Sequence, residues 1–151
     1  MPERVEGTAV MVKTIKMAEI YGIAENADKP MGELTICANG WETRYSWGHT
    51  AEVWAGCEKM ATAKMRYYNR TWEEYRFQSV IHEALYKYVK CVTGRNPLKS
   101  LAARDMKPMK GAAAEARRQT RVAEHEFAKW LYNALTAAVD GKAIPQYHAV
   151  A

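Results

Sequence analysis

The stretch from Glu33 to Trp47, ELTICANGWETRYSW, carries the clearest local signal in the chain. Two β-prone runs flank Asn39-Gly40, a dipeptide suited to a two-residue hairpin turn because both positions need positive φ. The reading places a hairpin around Asn39-Gly40. In its second strand Trp41, Thr43, Tyr45 and Trp47 point one way, and Glu42, Arg44 and Ser46 the other. One face is then aromatic and the other wet. A lone hairpin is marginal in water, so the aromatic face must pack on a helix or a third strand.

Upstream, Thr8 to Ile15 is rich in β-branched residues and reads as a strand. It continues toward Ile23, or else KMAEIYGI forms a short helix. AENADKPMG, ending at Gly32, is a loop punctuated by Pro30 and Gly32. Downstream the pattern turns helical. Thr50 can cap a helix whose stripe runs Val53, Trp54, Cys57, Met60, Ala61, Met65 and Tyr68. Asn69-Arg70 breaks it, and Thr71-Trp72-Glu73-Glu74 reads as a capping box for the next helix. That helix presents Phe77, Val80, Ile81, Ala84, Leu85, Tyr88, Val89 and Val92, and ends at Thr93-Gly94 with Pro97 soon after. Leu98 to Lys110 is a basic connector with room for a helical turn or two. A last helix spans about Ala112 to Val139 with Val122, Phe127, Leu131, Ala134, Leu135 and Ala138 as its stripe. Asp140-Gly141 closes it, and the tail beyond is expected to be loose. The expected architecture is α+β in a single domain, 1–151. Residues 1–48 form a small antiparallel sheet, residues 50–139 about three helices, and residues 140–151 the tail.

The chain has 151 residues, 48% of them hydrophobic, which suits one domain with a buried core. No apolar run approaches the roughly 20 residues of a membrane span. MPERVEGTAV has two early glutamates and no apolar core, so it does not read as a secretion signal. The three cysteines, Cys37, Cys57 and Cys91, are odd in number and widely spaced. They fit a reducing cytoplasm, with Cys57 and Cys91 as core residues. Charge is unevenly spread. Up to Glu58 there are five Lys/Arg against nine Asp/Glu, and from Lys59 to Val122 fifteen against five. A basic middle segment of this kind suits an anionic partner, or lines solvated helix faces.

No catalytic, metal-ligating or cofactor-binding set emerges. The His-Glu pairs at His82 and His125 lack a second histidine four residues on, so the metalloprotease pattern fails. His82 and His125 read as helix-surface or boundary residues. A Gly-x-Ser-x-Gly elbow and the glycine-rich phosphate loops are also missing. What remains is basic and aromatic. Lys64, Arg66, Arg70 and Arg76 surround the expected corner between two helices, with Tyr67 and Tyr75 off the apolar stripes. Lys87, Lys90, Arg95, Lys99, Arg104, Lys107 and Lys110 continue the charge along the second helix and the connector. Arg117 and Arg121 share one face of the last helix. Arginine suits phosphate because its planar fork donates two bonds at once. The candidate partner-binding set is therefore Arg66, Tyr67, Arg70, Tyr75, Arg76, Lys87, Lys90, Arg95, Arg117 and Arg121.

The segment YYNRTWEEYRFQSVIHEAL, Tyr67 to Leu85, resembles one found in short bacteriophage and prophage accessory proteins, where an Asn-Arg-Thr-Trp-Glu corner leads into an aromatic-rich helix. The resemblance implies a small protein of the bacterial cytoplasm. It would act on nucleic acid or disable a host defence by binding, in the manner of inhibitors of CRISPR–Cas effectors. The expected function is non-enzymatic binding of nucleic acid, or of a host protein–nucleic acid complex, through a basic helical face. One alternative is a sponge for signalling nucleotides gripped by Arg117 and Arg121. Another is a homo-oligomeric interaction module, built on the aromatic face of the hairpin or on the last helix, with a homodimer as its simplest form.

Overall fold

The computed structural model describes residues 10–22, 32–67 and 77–147. A four-stranded antiparallel meander, β1 (Val10–Lys16), β2 (Glu33–Glu42), β3 (Trp47–Ala55) and β4 (Glu58–Tyr67), forms the front of the chain. A one-turn helix α1 (Met17–Tyr21) follows β1, and two long helices, α2 (Phe77–Thr93) and α3 (Ala112–Val139), complete the α+β fold. The short-helix reading of KMAEIYGI is therefore the correct one.

Two expectations are corrected. The first concerns the Asn39-Gly40 turn. Asn39 pairs with Val10 on one side and Thr50 on the other, and Gly40 pairs with His49, so both lie inside β2. The chain reverses at Thr43–Ser46 instead. There the Thr43 amide donates to the Ser46 carbonyl at 2.7 Å and the Ser46 amide donates to the Thr43 hydroxyl at 3.2 Å. Extending β2 past Asn39 adds the pairs Gly40–His49, Trp41–Gly48 and Glu42–Trp47 with β3, which outweigh the local turn preference. The four-residue turn also separates the aromatic row. Trp41 pairs with Gly48 while Trp47 pairs with Glu42, so the two tryptophans point to opposite faces.

The second correction is larger. Residues 50–67 are strand, not helix. They alternate with period 2, with Ala51, Val53, Ala61, Ala63 and Met65 facing the helices and Thr50, Glu52, Trp54, Thr62, Lys64 and Arg66 facing away. Gly56-Cys57 makes the tight turn between them, with Gly56 at φ 62, a conformation that suits glycine. Cys57 is exposed there, and Cys91 is exposed on α2, so neither is a core residue. The expected capping box at Thr71–Glu74 lies outside the described residues.

The helices follow the sequence reading closely. Val80, Ile81, Ala84, Leu85, Tyr88 and Val89 of α2 are buried, while Val92 at the helix end is exposed. Gly94, at φ 69, ends α2 as expected and donates its amide to the Lys90 carbonyl at 2.9 Å. α2 lies chiefly across β3 and β4, and α3 packs beside it and reaches β1 and α1. His49 on the inner sheet face meets Phe77 at the start of α2, their rings 4.5 Å apart, and burial pushes its imidazole toward the neutral form. At the same end of the helix pair, His82 Nε2 lies 3.0 and 3.1 Å from the Asp140 carboxylate oxygens, and Lys13 donates to the Val139 carbonyl. A cation there meets the negative end of α3. The tail is tied down as far as Tyr147, because the Trp130 indole donates to the Pro145 carbonyl at 2.8 Å and the Tyr147 ring lies 4.9 Å from that of Trp130.

On the inner face Ala38, Ala51 and Ala63 are opposed across three strands and are essentially fully buried. An Ala51→Leu substitution should lower stability by about 1–3 kcal/mol through overpacking. The reading is a lower urea midpoint at unchanged m-value.

Candidate nucleic-acid interface

The ten candidate residues divide among separate parts of the molecule. Arg70, Tyr75 and Arg76 lie outside the described residues, and Tyr67 is described only as the last residue of β4. Arg66 belongs to the open face of the sheet. Lys87 and Lys90 are exposed on α2, Lys90 lying 5.0 Å over the Tyr86 ring. Arg95, Arg117 and Arg121 belong to a projecting arm.

The arm arises because α3 is longer than its neighbour. Arg95, just past the end of α2, donates to Glu124 at 2.8 Å, which sets residue 124 level with the end of α2. Residues 112–123 therefore extend beyond α2 by about 18 Å. The connector folds back on them through a 3-10 turn, Ala103–Asp105. Almost nothing apolar is buried here, and polar groups hold the shape. Arg121 places Nε and Nη2 at 3.0 and 2.8 Å from one oxygen of the buried Asp105. Arg118 donates to the Asp105 carbonyl at 2.9 Å and to both oxygens of Glu115. Glu115 also accepts the Met109 amide at 2.7 Å. The hydrogen bonds from Arg118, then that from the Met109 amide, lower the Glu115 carboxyl to about 2. The hydrogen bond from Arg121 lowers that of Asp105.

Arg121 is thus committed to Asp105, and Arg95 to Glu124. Arg121 does not stand open beside Arg117 as a phosphate clamp, because its fork already holds a carboxylate. Other cations of the arm are left exposed. Lys99, Lys107, Lys110 and Arg117 have no ion pair among the described residues, and Arg104, also exposed, stands 3.9 Å from Asp105. Sequence reasoning noticed the connector lysines only as charge. The signal for the arm was Asp105 and Glu115, two acids in a segment of eight bases from Arg95 to Arg121.

A second basic centre lies on the sheet face turned away from the helices. Trp41 is only 7% exposed although it points away from the core. Its indole lies over Gly48, where a Cβ would come within 2.6 Å of the ring and 2.0 Å of the Met65 carbonyl. Lys64 Nζ is 4.7 Å and the Arg66 guanidinium carbon 5.4 Å from the ring centre. Each such contact contributes about 0.5–1 kcal/mol when exposed. The buried indole N–H has no hydrogen-bond partner among the described residues, which costs roughly 1–3 kcal/mol. At the adjoining turn Arg44 stacks 5.4 Å over Tyr45, which is 80% exposed.

His125 is buried, rather than at a helix surface, and its Nε2 has no partner among the described residues, while His82 is a boundary residue bonded to Asp140. Among the described residues no three His, Cys, Asp or Glu side chains come together as a metal-binding group, and no helix is long and apolar enough to cross a membrane. Comparison with family models, curated proteins and solved structures finds no match to this chain.

The arm's ion pairs set a pH dependence. Glu115 is lowered when folded from an ordinary value of 4.5 to about 2. Its contribution is therefore complete above about pH 4.5 and lost as pH falls toward 2. Amide exchange across residues 112–122, taken relative to the intrinsic rate at each pH, should stay slow from neutral pH to about 4.5 and quicken below it. Glu115→Gln should quicken it at neutral pH while residues 128–139 keep their protection.

Proposed function

We propose that this protein is a non-enzymatic binder of nucleic acid, or of a host protein–nucleic acid complex, and that the projecting arm is its principal contact. The observation that carries the reading is the arm's economy. Its shape is fixed by three arginines on three acids, and its remaining cations, Lys99, Arg104, Lys107, Lys110 and Arg117, are left at the surface. A surface of that kind attracts a polyanion and releases its counterions on binding. Lys87 and Lys90, exposed along α2, extend the same charge. Arg118 and Arg121 serve as internal braces that hold the connector against α3.

The resemblance of Tyr67–Leu85 to phage accessory proteins supports placing this binding in the antagonism of a host defence, with a guide-loaded effector of the CRISPR type as a partner of fitting chemistry. The nucleotide sponge is the weaker reading, since Arg121 would have to release the buried Asp105 to grip a phosphate. The oligomer reading has no specific observation in its favour.

Binding of duplex DNA, RNA or a guide-loaded effector should weaken steeply with salt. Replacing Lys107, Lys110 and Arg117 together by Gln should reduce the slope of log K against log salt by about 2–3 on duplex DNA, at roughly 0.9 for each phosphate no longer neutralised. Fluorescence anisotropy over a salt series reads this. An affinity that hardly changes with salt, or a variant indistinguishable from the parent, would refute the arm as the principal binding surface.

A further inference from the structure

The four strands carry a second grid of side chains, on the face that no described element covers. From the hairpin end its rows run Trp41–Gly48–Arg66, then Asn39–Thr50–Lys64, then Val12–Cys37–Glu52–Thr62, then Thr14–Thr35–Trp54–Lys59. Charge is unequal along it. In the far rows Glu52 faces Lys59 at 3.6 Å. In the near rows Lys64 and Arg66 are exposed and have no carboxylate partner among the described residues. Arg44, in the turn just beyond them, likewise rests on a ring.

We infer that this end of the open sheet face binds a single-stranded nucleic acid, with Arg44, Lys64 and Arg66 on its phosphates and Tyr45 stacked on an unpaired base. The cations here are positioned differently from those of the arm. A carboxylate partner fixes a guanidinium and neutralises it; an indole or phenol ring fixes it and leaves the charge whole for a ligand. Trp41 supplies that platform from beneath, and Gly48 makes room for it. The core does not require this arrangement, since Trp41 points away from it. Tyr45 has most of its surface in solvent, and a ring so placed can take a base face. A duplex keeps its base faces stacked inside, which favours a single strand at Tyr45. Thr50, Thr62 and Asn39 line the path with hydroxyl and amide groups, and Trp54 offers a second ring about 20 Å along the face. This surface shares with the arm only the class of partner.

The test is anisotropy with a labelled oligothymidylate of roughly a dozen nucleotides and with a duplex of matching length. Replacing Arg44, Lys64 and Arg66 together by Gln should reduce the single-strand salt slope by about 2, at roughly 0.7 for each phosphate no longer neutralised. Tyr45→Ala should weaken single-strand binding about fivefold or more and leave duplex binding unchanged. Each variant's near-ultraviolet circular dichroism should match the parent, and Lys64→Gln alone serves if the triple variant does not fold. A single-strand affinity untouched by the Lys64 and Tyr45 changes overturns the inference. So does a Tyr45→Ala loss of equal size on duplex. Loss confined to the Lys107/Lys110/Arg117 variant would sink this inference while leaving the arm standing. Loss confined to the Arg44/Lys64/Arg66 variant would do the reverse.

Discussion

Ala38, Ala51 and Ala63 stand opposite one another on β2, β3 and β4, forming a row with only one methyl per strand. Alanine adds little height to a sheet surface, so a helix can lie close against such a row. α2 answers with Val80, Ile81, Ala84 and Leu85, all fully or almost fully buried. Much else follows from that close layer. It fixes which face of each strand is inside, and so turns Trp41, Lys64 and Arg66 outward. It also places α2 where α3 can pack beside it, with His82 and Asp140 at one end and Arg95 and Glu124 at the other. The part of α3 that outruns α2 has no core to lie on, and for that reason is built from ion pairs.

The basic middle of the chain is accordingly two surfaces rather than one. The strand residues Lys64 and Arg66 lie on the sheet face opposite the helices. The connector and α3 residues lie past the end of α2, which runs about 25 Å from Phe77. Their chemistry differs as well as their position. The arm's Arg118 and Arg121 are held by acids, Glu115 and Asp105, whose carboxyls that pairing lowers. Those of the sheet are held by aromatic rings. The first arrangement builds scaffold and leaves neighbouring lysines exposed, and the second leaves the positioned cations themselves exposed.

Helix α2 was legible because its apolar spacing, glycine cap and following proline all agree, and each acts over a few residues. The same holds for α3 and its close at Asp140-Gly141. Residues 50–67 were misread because Ala, Met and Lys favour helices, and Val53, Trp54, Cys57, Met60 and Ala61 mimic a helical stripe. Yet Thr50-Ala51-Glu52-Val53 and Ala61-Thr62-Ala63-Lys64-Met65-Arg66 alternate strictly, and Gly56 sits between them. Period 2 was present, and propensity masked it. The Asn39-Gly40 turn failed for a related reason. A dipeptide's preference amounts to little beside the ladder hydrogen bonds that a longer β2–β3 pair gains.

By itself, then, the sequence determined the class of fold, the two long helices with their buried stripes, and an excess of positive charge in the middle of the chain. These depend on neighbours along the chain, and spacing reveals them. Tertiary structure alone decided that Arg121 is a brace rather than a clamp, that Lys64 and Arg66 share a tryptophan 23 or more residues away, and that a glycine on β3 makes room for it. Those pairings depend on strand register and on where one helix outruns another, distances that no local pattern encodes.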